Sequence, residues 1–184
     1  MEEKAKLKTT ILVAMNQNNV IGNNNSLLYH IKDDLKRFKS LTEGNVVIMG
    51  RKTFESLPNK QALSNRINII LTNNREFFVE SEQIPENTEV YIVNSLNDLI
   101  DLVSTLLDDK KIFVIGGRQI YKLFLDNDLV ENIEMTYIDD NMKGDCHFPL
   151  LDNNAWDRKS TTEWIKDSAS AINYQFIHLT KKNK

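Results

Sequence analysis

The chain has 184 residues, 41% of them hydrophobic and 27% charged, with a formal net charge of -3. That profile fits one globular domain, since domains commonly hold roughly 100 to 200 residues, and a core of this size buries about two-thirds of the surface its unfolded chain exposes. The near-neutral balance leaves no basic footprint for nucleic acid, and no apolar run approaches the roughly 18 residues that span a bilayer.

The first residues, MEEKAKLKTT, mix charges of both signs and lack the apolar centre of a secretory signal. With Cys146 as the only cysteine, no intrachain disulfide can form, and a cytoplasmic protein is expected. TTILVAM at 9–15 is the first short, β-branched apolar run. An asparagine-studded loop (Asn23, Asn24, Asn25) then leads into LLYHIKDDLKRF at 27–38, where Ile31, Leu35, Phe38 and Leu41 fall at helical spacing. NVVIMG at 45–50 is the second strand, 51–57 a short helix, RINIILT at 66–72 the third strand and EVYIV at 89–93 the fourth. From 96 to 107, Leu96, Leu99, Ile100, Val103, Leu106 and Leu107 form an apolar stripe with Ser95 placed as N-cap. KIFVIG at 111–116 precedes a helix marked by Ile120, Tyr121, Phe124 and Leu125.

Continuous apolar runs imply strands covered on both faces, and strand–helix alternation implies right-handed crossovers in a parallel sheet. The last third differs: NIEMTYI, WDRKSTTEWI and INYQFIHLT read as antiparallel additions to one sheet edge. The expected fold is a single α/β domain over 1–184, with a mixed, mostly parallel sheet of about eight strands, about four helices and antiparallel C-terminal strands. Residues 1–8 and 181–184 are expected to be loosely ordered ends, the basic tail (Lys181, Lys182, Lys184) being solvated.

Two strands end in glycine where a helix begins: VVIMG before Arg51-Lys52-Thr53, and FVIGG before Arg118-Gln119-Ile120-Tyr121. A helix start offers free N–H groups to an anion, and glycine lets a ligand approach the backbone. Neither turn matches G-x-G-x-x-G, so plain turn geometry and a phosphate-bearing cofactor both stay open. If a cofactor binds, the basic residues favour NADPH over NADH.

Asp33 and Asp34 lie in a first helical turn, where acids stabilise the helix dipole. Leu35 and Phe38 give Asp34 apolar neighbours at i+1 and i+4. Desolvation raises the pKa of such a carboxylate unless donors pair with it, and a ligand with two adjacent N–H groups would satisfy both oxygens.

The ordered set ILVAMNQNNVIG, LLYHIKDDLKRFK, VVIMGRKTFESLP, NRINIILT, FVIGGRQIY, EMTYID and GDCHFP resembles the dihydrofolate reductase family, in its bacterial type, over roughly residues 9 to 180. The resemblance implies hydride transfer from NADPH to C6 of 7,8-dihydrofolate, with N5 protonated from water. Asp34 would hold the pterin's 2-amino group and N3, with Tyr29 and Leu27 beside it at the catalytic centre. Leu27, Leu35, Phe38, Leu57 and Leu63 would line the pterin and aminobenzoyl pocket; from the residues alone they are ordinary core. Arg66 would clamp the glutamate α-carboxylate; from the residues alone it is a surface arginine. Thr136 would bond Asp34 and fix its orientation.

For the cofactor, the resemblance assigns Ala14 and Ile21 to the nicotinamide, with Ile115 and Tyr121 around the hydride-transfer region. Gly50, Arg51, Lys52 and Thr53 would hold the pyrophosphate and adenosine side, with Arg118, Gln119 and Ile120 opposite. Leu71 and Thr72 would border the adenine. Gly116 and Gly117 match a pair joined by a cis peptide. No metal is implied, and a monomer without nucleic-acid or membrane partners is expected.

The chain departs from the family's usual Leu-Pro-Trp at Leu27-Leu28-Tyr29. Leu28 removes a proline constraint, and a looser lid over 16–27 is expected. Arg118, Gln119, Asn73 and Ala62-Leu63 also replace common family residues, leaving the 2′-phosphate to Arg51, with Arg118 or Arg75 substituting. A pyrimidine reductase of the same fold and a non-catalytic folate- or nucleotide-binding module are the competing readings.

Overall fold

A strand covered on both faces has no polar side to show, and this is why the apolar runs do not alternate. The computed structural model describes residues 7–106 and 109–182, so Leu107 and Lys184 lie outside the described residues. In chain order the elements begin β1 (Thr9–Asn16), β2 (Val20–Asn23), β3 (Ser26–Leu27), α1 (Lys32–Thr42), β4 (Val46–Gly50), α2 (Arg51–Ser56) and β5 (Ile67–Leu71). They continue with β6 (Glu89–Val93), α3 (Leu96–Leu106), β7 (Ile112–Gly116), α4 (Arg118–Asp126) and β8 (Val130–Asp139). The chain closes with β9 (Cys146–His147), β10 (Trp156–Ser160), β11 (Ile165–Lys166) and β12 (Asn173–Lys181).

Along β1, Ile11, Val13 and Met15 enter one core and Leu12 the other. Val46 and Ile48 divide from Val47 and Met49 in the same way along β4. Leu99, Val103, Ile120 and Phe124 bring α3 and α4 to the first core, while Phe38, Leu41 and Phe54 bring α1 and α2 to the second. Ser95 caps α3 as expected, its Oγ accepting from the Asp98 N–H at 3.1 Å.

The main sheet runs β10–β12–β8–β1–β7–β4–β5–β6, with β11 added to β12. β12 is antiparallel to β8, and β10 and β11 are antiparallel to β12. One assignment changes: NIEMTYI lies in β8, which is parallel to β1 and sets Thr136 opposite Ala14. The reason is α4, which supplies the crossover a parallel neighbour needs. WDRKSTTEWI also divides, into β10 and β11. Residues 1–6 and 183–184 of the expected loose ends lie outside the described residues. Leu7 is buried in the core, Lys8 Nζ donates to Glu131 Oε1 at 2.8 Å, Lys181 bonds Asp128, and the Lys182 N–H reaches the Ala155 carbonyl at 3.0 Å.

A second small sheet, β3–β2–β9, carries the lid segment. Its close packing depends on Gly144, where a Cβ would lie 2.4 Å from the Gly22 carbonyl oxygen.

After β4 the chain steps through α2 to β5; after β7 it steps through α4 to β8, in the opposite direction. β4 and β7 are neighbours, so a crevice opens where their carboxyl ends diverge.

Candidate active site

α1 starts beside β8 and turns Asp34 onto it. Thr136, 1% exposed, donates its hydroxyl to Asp34 Oδ1 at 2.5 Å. Asp34 is half-buried, and burial raises its carboxyl above the usual range, against the Thr136 hydrogen bond and the nearby Arg37 charge. One turn after Asp34 on α1, Phe38 joins Leu57, Leu63 and Ile115 as half-buried apolar side chains packed against the core of Leu12, Met49, Phe54 and Ala62. Leu35 is 44% exposed on α1 and Leu27 57% exposed on β3, large apolar side chains turned to open space. Ala14 packs with Tyr29, Ile31, Ile138 and Tyr174; Ile21 reaches the core on the other face of the sheet.

The two glycine turns meet in the crevice. Met49 pairs with Gly116 across β4 and β7. The Gly116–Gly117 peptide is cis, and Gly116 has φ +121°. A Cβ on Gly116 would lie 3.3 Å from Tyr121 Oη and 3.6 Å from Thr53 Oγ1, and one on Gly117 3.4 Å from the same Thr53 oxygen. These glycines therefore keep a stretch of backbone bare between α2 and α4. Lys52, Arg118 and Gln119 are exposed around it, while Arg51 is half-buried and donates to Glu55 Oε1 at 2.9 Å.

A sequence model described as dihydrofolate reductase matches residues 8–181. The chain belongs to the dihydrofolate reductase family. It is 37% identical over 175 residues to dihydrofolate reductase of Bacillus subtilis, covering 95% of each chain. To the Staphylococcus aureus enzyme it is 33% identical over 173 residues, covering 94% of this chain and 98% of the relative. A solved dihydrofolate reductase from Enterococcus faecalis, complexed with NADP(H) and RAB-propyl, superposes with a TM-score of 0.78 over 97% of this chain and 98% of its own. At 24% identity that likeness carries the fold.

Several residues that the family resemblance assigns to cofactor or substrate are buried. Ile120 is buried, and its Cγ1 lies 3.1 Å from where a Cβ on Gly50 would stand. Tyr121 is buried too, donating to the Leu12 carbonyl at 2.7 Å; burial raises its hydroxyl pKa. Leu71 and Thr72 are buried at the end of β5, with the Thr72 N–H on the Val93 carbonyl. Arg66 corrects the surface reading: it is 6% exposed, with Nε donating to Thr42 Oγ1 at 2.8 Å and Nη1 to the Ser64 carbonyl at 2.6 Å. Its Nη2 has no hydrogen bond among the described residues. Asn68, passed over in RINIILT, grips Leu63, accepting from its N–H and donating to its carbonyl, each at 2.9 Å. A polar side chain inside an all-apolar strand is the signal that marks it.

Tyr29 is buried beside Ile31, Ile138 and Tyr174. Its hydroxyl donates to Asp140 Oδ2 at 2.5 Å and accepts from Asn16 Nδ2 at 3.0 Å. Burial first, then Asp140, pushes the phenol up to about 12. Asn16 in turn accepts from the N–H groups of Asn18 and Val20 at 3.0 Å and donates to the Met142 carbonyl at 2.8 Å. The hydroxyl is committed to the lid's base and ties the segment that Leu28 is expected to loosen. Tyr29→Phe is expected to cost about 1 kcal/mol of stability and to speed hydrogen exchange at the Asn18 and Val20 amides. Unchanged exchange at both would show that the network does not hold the lid.

Proposed function

We infer that the chain catalyses reduction of 7,8-dihydrofolate to 5,6,7,8-tetrahydrofolate with NADPH. The carrying observation is Asp34, a half-buried carboxylate oriented by Thr136, one turn from Phe38 and its apolar neighbours. Two adjacent N–H donors of a pterin would satisfy it as bulk water no longer does. Asp34 orients the pterin and stabilises its protonated form electrostatically, while the N5 proton comes from water. Phe38, Leu57, Leu63 and Ile115 form the pocket wall, and Leu35 and Leu27 cover it.

The bare backbone of Gly116 and Gly117, which a Cβ would fill, fits an extended dinucleotide. NADPH, when bound, supplies the hydride that pterin C6 accepts. Gly50, Lys52, Thr53, Arg118 and Gln119 hold its phosphates, with Arg51 at the 2′-phosphate. Ala14 and Ile21 border its nicotinamide, and Leu71 and Thr72 its adenine. Ile120 and Tyr121 hold the crevice in shape. The protein's catalytic task is placement of the reacting carbons. Purified protein should oxidise NADPH only when dihydrofolate is present; turnover of a pyrimidine substrate instead would favour the related reductase.

Arg66 keeps one guanidinium nitrogen available for the substrate's α-carboxylate. Arg66→Lys is therefore expected to raise KM for dihydrofolate about tenfold, with kcat within about twofold. A pterin substrate lacking glutamate should be reduced equally well by both proteins; a matching loss would remove Arg66 from this role. We also propose a monomer acting in the cytoplasm, testable as a mass of 21.3 kDa by light scattering. No helix among the described residues is long and apolar enough to cross a membrane.

A further inference from the structure

α1 rests on β8 and β12 through three polar rungs. Tyr174 Oη donates to Asp33 Oδ2 at 3.0 Å, Thr136 Oγ1 to Asp34 Oδ1 at 2.5 Å, and Arg37 Nη2 to Glu134 Oε2. The rungs follow the register: Tyr174 faces Ile138, Phe176 faces Thr136 and His178 faces Glu134. Alternate residues of two strands thus meet the opening turns of the helix. The third rung is the most enclosed. The Arg37 and Glu134 side chains are 21% and 17% exposed, and the guanidinium carbon lies 4.5 Å from the Phe176 ring centroid. Glu134 Oε1 is 2.7 Å from His178 Nδ1, and His178 Nε2 is 2.9 Å from Thr180 Oγ1. A carboxylate oxygen accepts, so His178 turns an N–H at Nδ1 toward Glu134.

We propose that Arg37 is a positioning residue for the reaction: Glu134, braced by His178, and the Phe176 ring hold its guanidinium one helical turn from Asp34, where it faces the carboxylate's side of α1 and fixes the seat of the helix. This rests on the reading of Asp34 as the pterin-binding acid. The other ionisable groups around Asp34 are Asp33 and Lys36 on α1, Glu134 on β8, Tyr174 and His178 on β12, Tyr121 on α4, and Asp167 beyond Tyr174. Lys36 is exposed and pairs with Asp33 at 3.6 Å, leaving Arg37 as the enclosed cation. Its charge lowers the Asp34 pKa, opposing burial.

The test is the pH profile of kcat/KM for dihydrofolate, at saturating NADPH, in wild type, Arg37→Met, Arg37→Lys and Glu134→Gln. This ratio reports ionisations of the free enzyme. Arg37→Met should move the governing ionisation upward by about half a unit to one unit. Arg37→Lys should restore most of that shift. Glu134→Gln keeps an acceptor for Arg37 but removes a negative charge, so it should produce no upward shift. An Arg37→Met profile that only drops in height, equally at every pH, overturns the proposal, because lost packing alone would do that. Should Arg37→Met fail to fold, Arg37→Gln takes its place, and a profile there with no upward shift overturns the proposal. A wild-type protein without dihydrofolate-dependent NADPH oxidation would refute the underlying reading, so the two failures are distinguishable.

Discussion

Asp34→Asn is expected to lower kcat/KM for dihydrofolate by at least about 100-fold, the order seen when a preorganised electrostatic group is removed from a reaction site. The amide has nearly the carboxylate's shape, and its oxygen can still accept from the Thr136 hydroxyl. Its nitrogen, however, presents a donor to a ligand edge made of donors, and the charge is gone. The same change should raise the melting temperature of the ligand-free protein near neutral pH. Burial lifts the folded-state pKa of Asp34 above the ordinary 3.8, so ionising it costs more in the folded chain than in the unfolded one. That cost is present in full above the folded pKa. It fades as pH falls through the folded pKa, and it is gone below 3.8, where both states are protonated. Asparagine removes it at every pH. The variant's gain in melting temperature should therefore be largest near pH 7 and vanish in acid. A variant with the full rate would end the assigned role of Asp34. One that is inactive and less stable at pH 7 would mean that the carboxylate supports the fold rather than strains it.

The parallel strands are legible in the sequence because enclosure on both faces leaves them apolar throughout, and α3 is legible because its stripe and Ser95 cap agree. β3 and β9, of two residues each, are too short to display any period. The setting of Asp34 can be read in part from Phe38, since an i+4 neighbour is fixed by the helix itself; Leu35, one position on, is 44% exposed. Arg66 cannot be read in this way. It is buried because Thr42, 24 positions earlier, turns a hydroxyl toward it. Arg37 looks like one more charge on a solvated helix; its partner Glu134 is 97 positions distant and is brought near only by the crossover into β8. What a sequence shows of a site is the part its own element's period controls; partners supplied by the sheet come with the topology.

Gly116→Ala is expected to cost roughly 1–3 kcal/mol of stability through backbone conformation alone and to weaken NADPH binding at least about tenfold. Gly116 has φ +121°, an angle L side chains rarely adopt. The new methyl would stand 3.3 Å from Tyr121 Oη. Tyr121 cannot easily yield, because it is buried and its hydroxyl is fixed on the Leu12 carbonyl at 2.7 Å. The crevice floor between β4 and β7 must move instead. Gly44→Ala is the matched control: its φ of +76° also disfavours a side chain, but a Cβ there meets nothing within 4 Å. Both variants should melt earlier than wild type, and only Gly116→Ala should lose affinity when titrated with NADPH. If the two bind NADPH equally well, the bare backbone at Gly116 is a demand of folding alone, and the dinucleotide must be sought elsewhere along the carboxyl edge of the sheet.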